Sequence, residues 1–159
     1  MFVLIRALTY ASLFIGLVLI FLPAQVLSAS GISRPQAIGP WQVSGLIIGA
    51  LGAALVLGCV LAFVFVGKGT PAPFDPPRLL VVRGPYRFVR NPMYLGAGSA
   101  LLGAALFYQS HALLVFTALF FVITHLFAVL YEEPTLRRMF GEEYVEYTRR
   151  VRRWLPRIG

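Results

Sequence analysis

Charge is scarce in this sequence. Of its 159 residues 13% are Asp, Glu, Lys or Arg and 58% are apolar, and a mean hydropathy of +0.79 excludes a water-soluble globule. Acidic residues are the scarcest, six against fourteen cations, thirteen of them Arg, for a formal charge of +8. Such a balance would suit a nucleic-acid binder if polar surface carried it, but the apolar blocks leave none to do so. Cysteine occurs once, as Cys59 inside an apolar run, so a disulfide framework, a CxxC pair and a thiolate metal site are all excluded. It reads as a small helix- or lipid-facing residue. With His111 and His125 placed far apart, no metal, flavin or haem constellation is expected.

What the chain has instead is long apolar runs. The first, residues 7–27, matches the ~20 residues that a helix needs to cross hydrocarbon. Pro23 should bend or end it near the interface. Arg6 before it and a small-residue stretch after it resemble a signal peptide, but the run exceeds the usual apolar region, so we read a retained span. The second run, 43–66, is uncharged and introduced by Pro40-Trp41, an aromatic at belt height. Gly45, Gly49 and Ala53 set small side chains on one face of it. Residues 93–108 and 112–131 form a third and a fourth run around Gln109, Ser110 and His111, predicted as a tight helical hairpin with Gly96, Ala100 and Ala104 as a second small stripe. The third is short, so it must sit partly in the interface or have its start shielded by protein. The expected fold is therefore all-α: a polytopic membrane protein of about four transmembrane helices in one domain.

Cations orient it. Twelve of the fourteen fall in the connection 67–92 and in the tail 132–159, Arg6 makes thirteen, and Arg34 alone is left for the other side. The positive-inside rule then places both termini and the second connection in the cytoplasm, of an inner or plasma membrane. That connection is Pro-rich and too long for a bare turn, and long ordered loops carry function. In the tail, Leu136, Met139, Phe140, Tyr144, Tyr147 and Val151 fall at mixed three- and four-residue spacings among Glu and Arg, predicting an amphipathic cytoplasmic helix broken at Gly141. Its arginines would hold it against anionic headgroups.

Two clusters meet at this cytoplasmic mouth. One is the segment from Arg83 to Gly98, in which Arg83, Arg87 and Arg90 precede Asn91-Pro92 and a Gly-rich helix start. The other is Glu132-Glu133 at the end of the fourth run, where the helix macrodipole disfavours negative charge. Solvent with Arg137 and Arg138 could compensate the pair, or a ligand ammonium or hydroxyl could bind to it. His125 lies seven residues before Glu132, on nearly the same face, as an intramembrane site group or as a neutral histidine bonded to a neighbouring helix. His111 reads as a polar turn residue.

These blocks resemble the integral-membrane methyltransferases of the isoprenylcysteine carboxyl methyltransferase type and their phospholipid methyltransferase relatives. The matching positions are Gly84, Tyr86, Arg90, Asn91, Pro92, Tyr94 and Gly96, followed after the hairpin by Glu132, Glu133, Leu136, Phe140, Gly141, Tyr144, Tyr147 and Pro156. Asn91 stands where the family usually has His, and Asn cannot take up a proton near neutral pH. The resemblance implies S-adenosylmethionine as cofactor and S-adenosylhomocysteine as product, held by Asn91, Pro92, Tyr94, Gly96, Gly98, Glu132 and Glu133. It implies that Arg90 and Glu133 carry the catalysis, Arg90 by orienting a substrate carboxylate. Arg83, Arg87, Tyr147, Arg150 and His125 are the further candidates for substrate contact. The expected reaction is in-line methyl transfer to a lipid-like or isoprenoid acceptor, a carboxylate of the isoprenylcysteine kind before a phospholipid amine or a small thiol. The expected partners are the bilayer and the lipophilic substrate, without nucleic acid and with no oligomeric state set.

Two rivals stand beside this reading. A membrane sterol-type reductase using NADPH has a related block, but Ala97 follows Gly96 here where that class has Glu. A non-catalytic helical module would use the small-residue faces equally well, yet leaves the paired carboxylates unexplained.

Overall fold

The computed structural model describes residues 9–10, 12–32, 35, 37–67 and 78–156. Arg6, Arg34, Lys68, Arg157 and the start of the first apolar run lie outside the described residues, as does the Pro-rich part of the second connection. All regular structure among the described residues is helical: α1 (Ser12–Ala29), α2 (Pro40–Gly67), α3 (Pro92–Tyr108), α4 (His111–Phe127) and α5 (Glu133–Arg150). A 3-10 turn spans Gly84–Arg87, and one isolated bridge joins Val89 to Arg152. By length and composition α1, α2 and the apolar part of the helix that begins at His111 can each cross a membrane; α3 is shorter.

The polytopic all-helical expectation is met, and local chemistry accounts for the ends. Pro40 opens α2 with its missing N–H among the unpaired donors, while the Gln42 side chain accepts from the Gly39 N–H at 3.0 Å. At the hairpin, Gln109 turns left-handed (φ 49°) to stop α3, and the Ser110 hydroxyl oxygen caps α4 by accepting from the Leu113 N–H. Ser110 is fully buried, so this cap is also a packing residue. The break expected at Gly141 is present (φ 52°, ψ −126°), in a region that only glycine enters cheaply.

Proline acts differently from expectation in one place. Pro23 neither ends α1 nor stands alone in bending it: the helix runs on to Ala29, and the turns before the proline widen into π form over Ile15–Phe21. Pro134 repeats the device, following a π segment over Ala128–Glu132 that joins α4 to α5. A proline removes one i→i−4 donor and crowds the preceding turn, and a widened turn relieves both. The helical run from His111 to the break at Gly141 would measure about 45 Å, longer than the ~30 Å of hydrocarbon, so the charged α5 belongs outside the bilayer.

The tightest packing is between α2 and α3. A Cβ on Gly45 would lie 2.6 Å from the Gly103 carbonyl oxygen, and one on Gly52 would lie 2.5 Å from that of Gly96. The two helices therefore run antiparallel with their backbones in contact, as small residues permit in a membrane. Of the small stripe that the sequence suggested for the hairpin, Gly96 and Ala100 seat α3 on α2 instead, together with Gly103, and α4 packs on another side, with the Phe121 ring against Gly98. No residue of α3 is exposed. Its short length goes with shielding by α2 and α4.

Candidate active site

The segment after the 3-10 turn is extended and depends on the C-terminus for support. Beyond Arg150 the chain leaves α5 at Val151 (φ −118°, ψ 126°) and runs beside Val89–Asn91 as a strap. The Arg90 N–H donates to the Arg152 carbonyl at 2.9 Å, and the Asn91 N–H to the Arg153 carbonyl at 3.2 Å. Tyr147 adds a third tie, its hydroxyl donating to the Tyr86 carbonyl at 2.7 Å. Leu80, Tyr144, Tyr147 and Val151 form a small apolar core beneath these contacts.

The two adjacent carboxylates take separate roles. Glu133 accepts from Arg153 at both oxygens, Nε to Oε1 at 2.7 Å and Nη2 to Oε2 at 3.0 Å, and Arg90 Nη1 lies 3.2 Å from the same Oε1. The Arg90 side chain is only 14% exposed, so this pairing is what makes its burial tolerable. The contact with Glu133 holds the Arg153 guanidinium above its usual pKa range. Glu132 instead turns toward α3, where the Tyr94 hydroxyl donates to its Oε2 at 3.1 Å. Neighbouring residues on a helix point about 100° apart, and here the π segment ends at Glu132, between the two. The sequence singles out the pair; the three-dimensional arrangement divides it.

Glu132 borders a cavity of about 450 Å³ with one polar end. Tyr86, Arg90, Asn91, Tyr94 and Glu132 form that end, while α1 supplies Leu13, Phe14, Leu17 and Val18, and α2 supplies Val56, Val60 and Phe63. The α4 side contributes Ile123, Thr124 and Phe127. Tyr86 is buried edge-on against Phe63 at 5.4 Å between ring centres, and burial pushes its phenol well above its usual pKa range. Two donors at the polar end have no partner: Arg90 Nε and Asn91 Nδ2 are both buried without a hydrogen bond, and Asn91 is 7% exposed. An unpaired buried donor costs about 1–3 kcal/mol, and both of these belong to residues that line the cavity.

The other residues singled out by sequence are placed as follows. Pro92 is buried at the start of α3. Gly96 and Gly98 are filled by α2 and by Phe121 respectively, so helix contact accounts for their lack of a side chain. Arg83 is exposed, Arg87 is exposed with its guanidinium over the Phe88 ring, and Arg150 is exposed and paired with Glu146. His125 accepts at Nδ1 from the Trp154 indole N–H at 3.1 Å, away from the lining of the cavity. Among the described residues no group of three His, Cys, Asp or Glu could hold a metal. Sequence reasoning did not single out Arg153 or Trp154. An interfacial tryptophan in an arginine-rich tail was the available signal for the second; the first, twenty residues from Glu133, left none.

The residues fit the cofactor that the blocks imply. S-adenosylmethionine has an ammonium and a carboxylate at one end, and the cavity lining includes a carboxylate, Glu132, the donor side chains of Arg90 and Asn91, and the aromatic residues Tyr86, Tyr94 and Phe63.

Comparison with known proteins agrees with the sequence blocks. The sequence model of the phospholipid methyltransferase family matches residues 41–143, about two thirds of the chain. The chain is 34% identical over 92 residues to methanethiol S-methyltransferase 1 of Bradyrhizobium diazoefficiens, covering 57% of this chain and 29% of that protein. It is 32% identical over 102 residues to human phosphatidylethanolamine N-methyltransferase, covering 62% of this chain and 50% of that one. The chain thus spans half or less of the length of these relatives. No solved structure matches it.

Proposed function

The chain belongs to the phospholipid methyltransferase family, and on that footing we propose that it transfers a methyl group from S-adenosylmethionine to an anionic group on an apolar molecule, at the cytoplasmic face of the membrane. The observation that carries this is one largely apolar cavity whose lining includes the carboxylate Glu132 together with Arg90 and Asn91, each of which has a buried side-chain nitrogen without a partner. S-adenosylmethionine, when bound, supplies an electrophilic methyl on a sulfonium. Glu132 accepts hydrogen bonds from the cofactor ammonium, with Tyr94 fixing the carboxylate; Asn91 donates to the cofactor. Arg90 Nε orients the acceptor anion, while its Nη1 is held on Glu133, so that Glu133 acts by positioning. The walls from α1, α2 and α4 exclude water and take up the apolar tail.

An anionic acceptor attacks without losing a proton, and the Arg90 side chain in the cavity lining complements its charge. That favours a carboxylate of the isoprenylcysteine kind. A thiolate is the second reading, because the same guanidinium would stabilise it, and one relative's printed activity is on methanethiol. An amine would need Glu132 as its base. The excess of arginine on the tail side supports the cytoplasmic placement of this mouth.

The test is calorimetric titration of S-adenosylhomocysteine into nanodisc-embedded protein, followed by a methyl-transfer screen. Wild type should bind, and Glu132→Gln and Asn91→Ala should each weaken binding about tenfold or more. Arg90→Lys should keep most cofactor affinity and lose turnover of a prenylcysteine carboxylate. Turnover only of a thiol or of phosphatidylethanolamine would overturn the acceptor class. NADPH binding in place of S-adenosylhomocysteine would overturn the reaction.

A further inference from the structure

The strap Val151–Pro156 has no regular structure of its own, yet its carbonyls hold the backbone of the two residues that carry the unpartnered donors. At its near end it is fixed by the buried Val151 and by the Val151 N–H donating to Tyr147. At its far end the structure offers one attachment of a different kind. Trp154 leaves the cytoplasmic cluster and lies along α4, its ring edge-on to Phe121 at 6.3 Å and its N–H on His125. His125 sits eight residues before Glu133, so the indole reaches about 12 Å from the carboxylate along the helix. His125 shares its surface with the exposed Val122, one turn before it. A histidine on that apolar surface needs a hydrogen-bonding partner, and water is scarce there; the indole N–H is the partner it has.

We propose that Trp154 is a positioning residue: by bonding to His125 it fixes the strap on α4, and so holds the backbone of Arg90 and Asn91, two residues that line the cavity. The link is a chain of observed contacts. The indole holds residue 154, the carbonyls of 152 and 153 hold the amides of 90 and 91, and Arg153 holds Glu133, which in turn holds Arg90. Released at Trp154, the strap frays backwards through these carbonyls, and the amides of Arg90 and Asn91 lose their acceptors. This role rests on the site reading above for its meaning in catalysis, but not for its measurement.

The experiment is hydrogen exchange on the full chain in nanodiscs, followed at the Arg90 and Asn91 amides, with ligand affinity measured alongside. Trp154→Phe keeps the ring against Phe121 and removes the N–H; His125→Leu removes the acceptor; His125→Asn keeps an acceptor near the position of Nδ1. Loss of one hydrogen bond should raise exchange at the two amides about threefold to tenfold in Trp154→Phe and in His125→Leu. The double variant should not exceed the larger single effect, and His125→Asn should stay within about twofold of wild type. S-adenosylhomocysteine affinity should fall in Trp154→Phe by a similar factor. Unchanged exchange at Arg90 and Asn91, effects that multiply in the double variant, or a rise spread evenly over α2 and α3 would each overturn the proposal, the last because it would mark a merely stabilising indole. If the wild type binds no S-adenosylhomocysteine, the function above fails, and the exchange pattern still decides the strap.

Discussion

The α2–α3 interface and the mouth formed by Val89–Asn91, α5 and the strap are held together by opposite means. The first is backbone on backbone, with glycines at Gly45, Gly52, Gly96 and Gly103 and no charge. The second is side chain on side chain, with a carboxylate shared by two arginines, a tyrosine tied to a remote carbonyl and a two-bond bridge. Close packing without polar groups gives a stiff frame that cannot bind a polar ligand. A satisfied polar network can bind one, provided that the frame leaves some of its donors unpaired. The difference assigns support to one region and chemistry to the other.

That division can be broken most severely at Gly52. A side chain there would meet Gly96 and Ala100 backbone atoms at 2.5–2.6 Å, so Gly52→Leu should force the helices apart, cost more than ~3 kcal/mol and abolish folding and ligand binding together, as read by thermal unfolding in detergent. Glu133→Gln should separate the two properties. It leaves Arg90 and Arg153 without their shared anion, so S-adenosylhomocysteine binding should weaken at least tenfold, while stability falls by only about 2 kcal/mol because the pair is partly solvated. Gly141→Ala has open space around it and strain alone against it, about 1–2 kcal/mol, which should appear as loosening of α5 in proteolysis with the α2–α3 amides still protected. The smallest effect is expected from Tyr147→Phe, which removes one hydrogen bond to Tyr86 worth about 1 kcal/mol and should leave the fold and most of the ligand affinity intact.

The two regions also differ in how far the sequence discloses them. Apolar runs, small residues at helical spacing, the hairpin and the Gly141 break are local signals, and each has its counterpart in the structure. The small stripe on α3 was legible, but not its partner, because a glycine face says only that some backbone comes close. At the mouth the residues that meet are far apart in the chain: Tyr86 and Tyr147 are separated by 61 positions, and Val89 bridges to Arg152. No periodicity encodes such pairings. The Glu132-Glu133 pair stood out as carboxylates at an expected helix end, but the helix continues through the π segment and Glu133 stands in the first turn of α5, so no C-terminal dipole opposes them. Which of them turns to the cavity depends on the π segment before them, and that follows from Pro134 acting on a helix whose continuation a sequence pattern does not disclose.

The register of the glycine contacts fixes depth. With Gly52 on Gly96 and Gly45 on Gly103, Pro92 comes level with Val56, and α2 continues for eleven further residues to Gly67, about 16 Å beyond the point at which α3 begins. Asn91 and Arg90 therefore lie well below the end of α2, and the space beside its last turns is taken by the second connection, with Val81 and Tyr86 packed on Cys59 and Ala62 and the Arg78 and Leu79 amides on the Gly67 carbonyl. That connection is thus a cover laid over the start of α3, and the cavity residues lie beneath it.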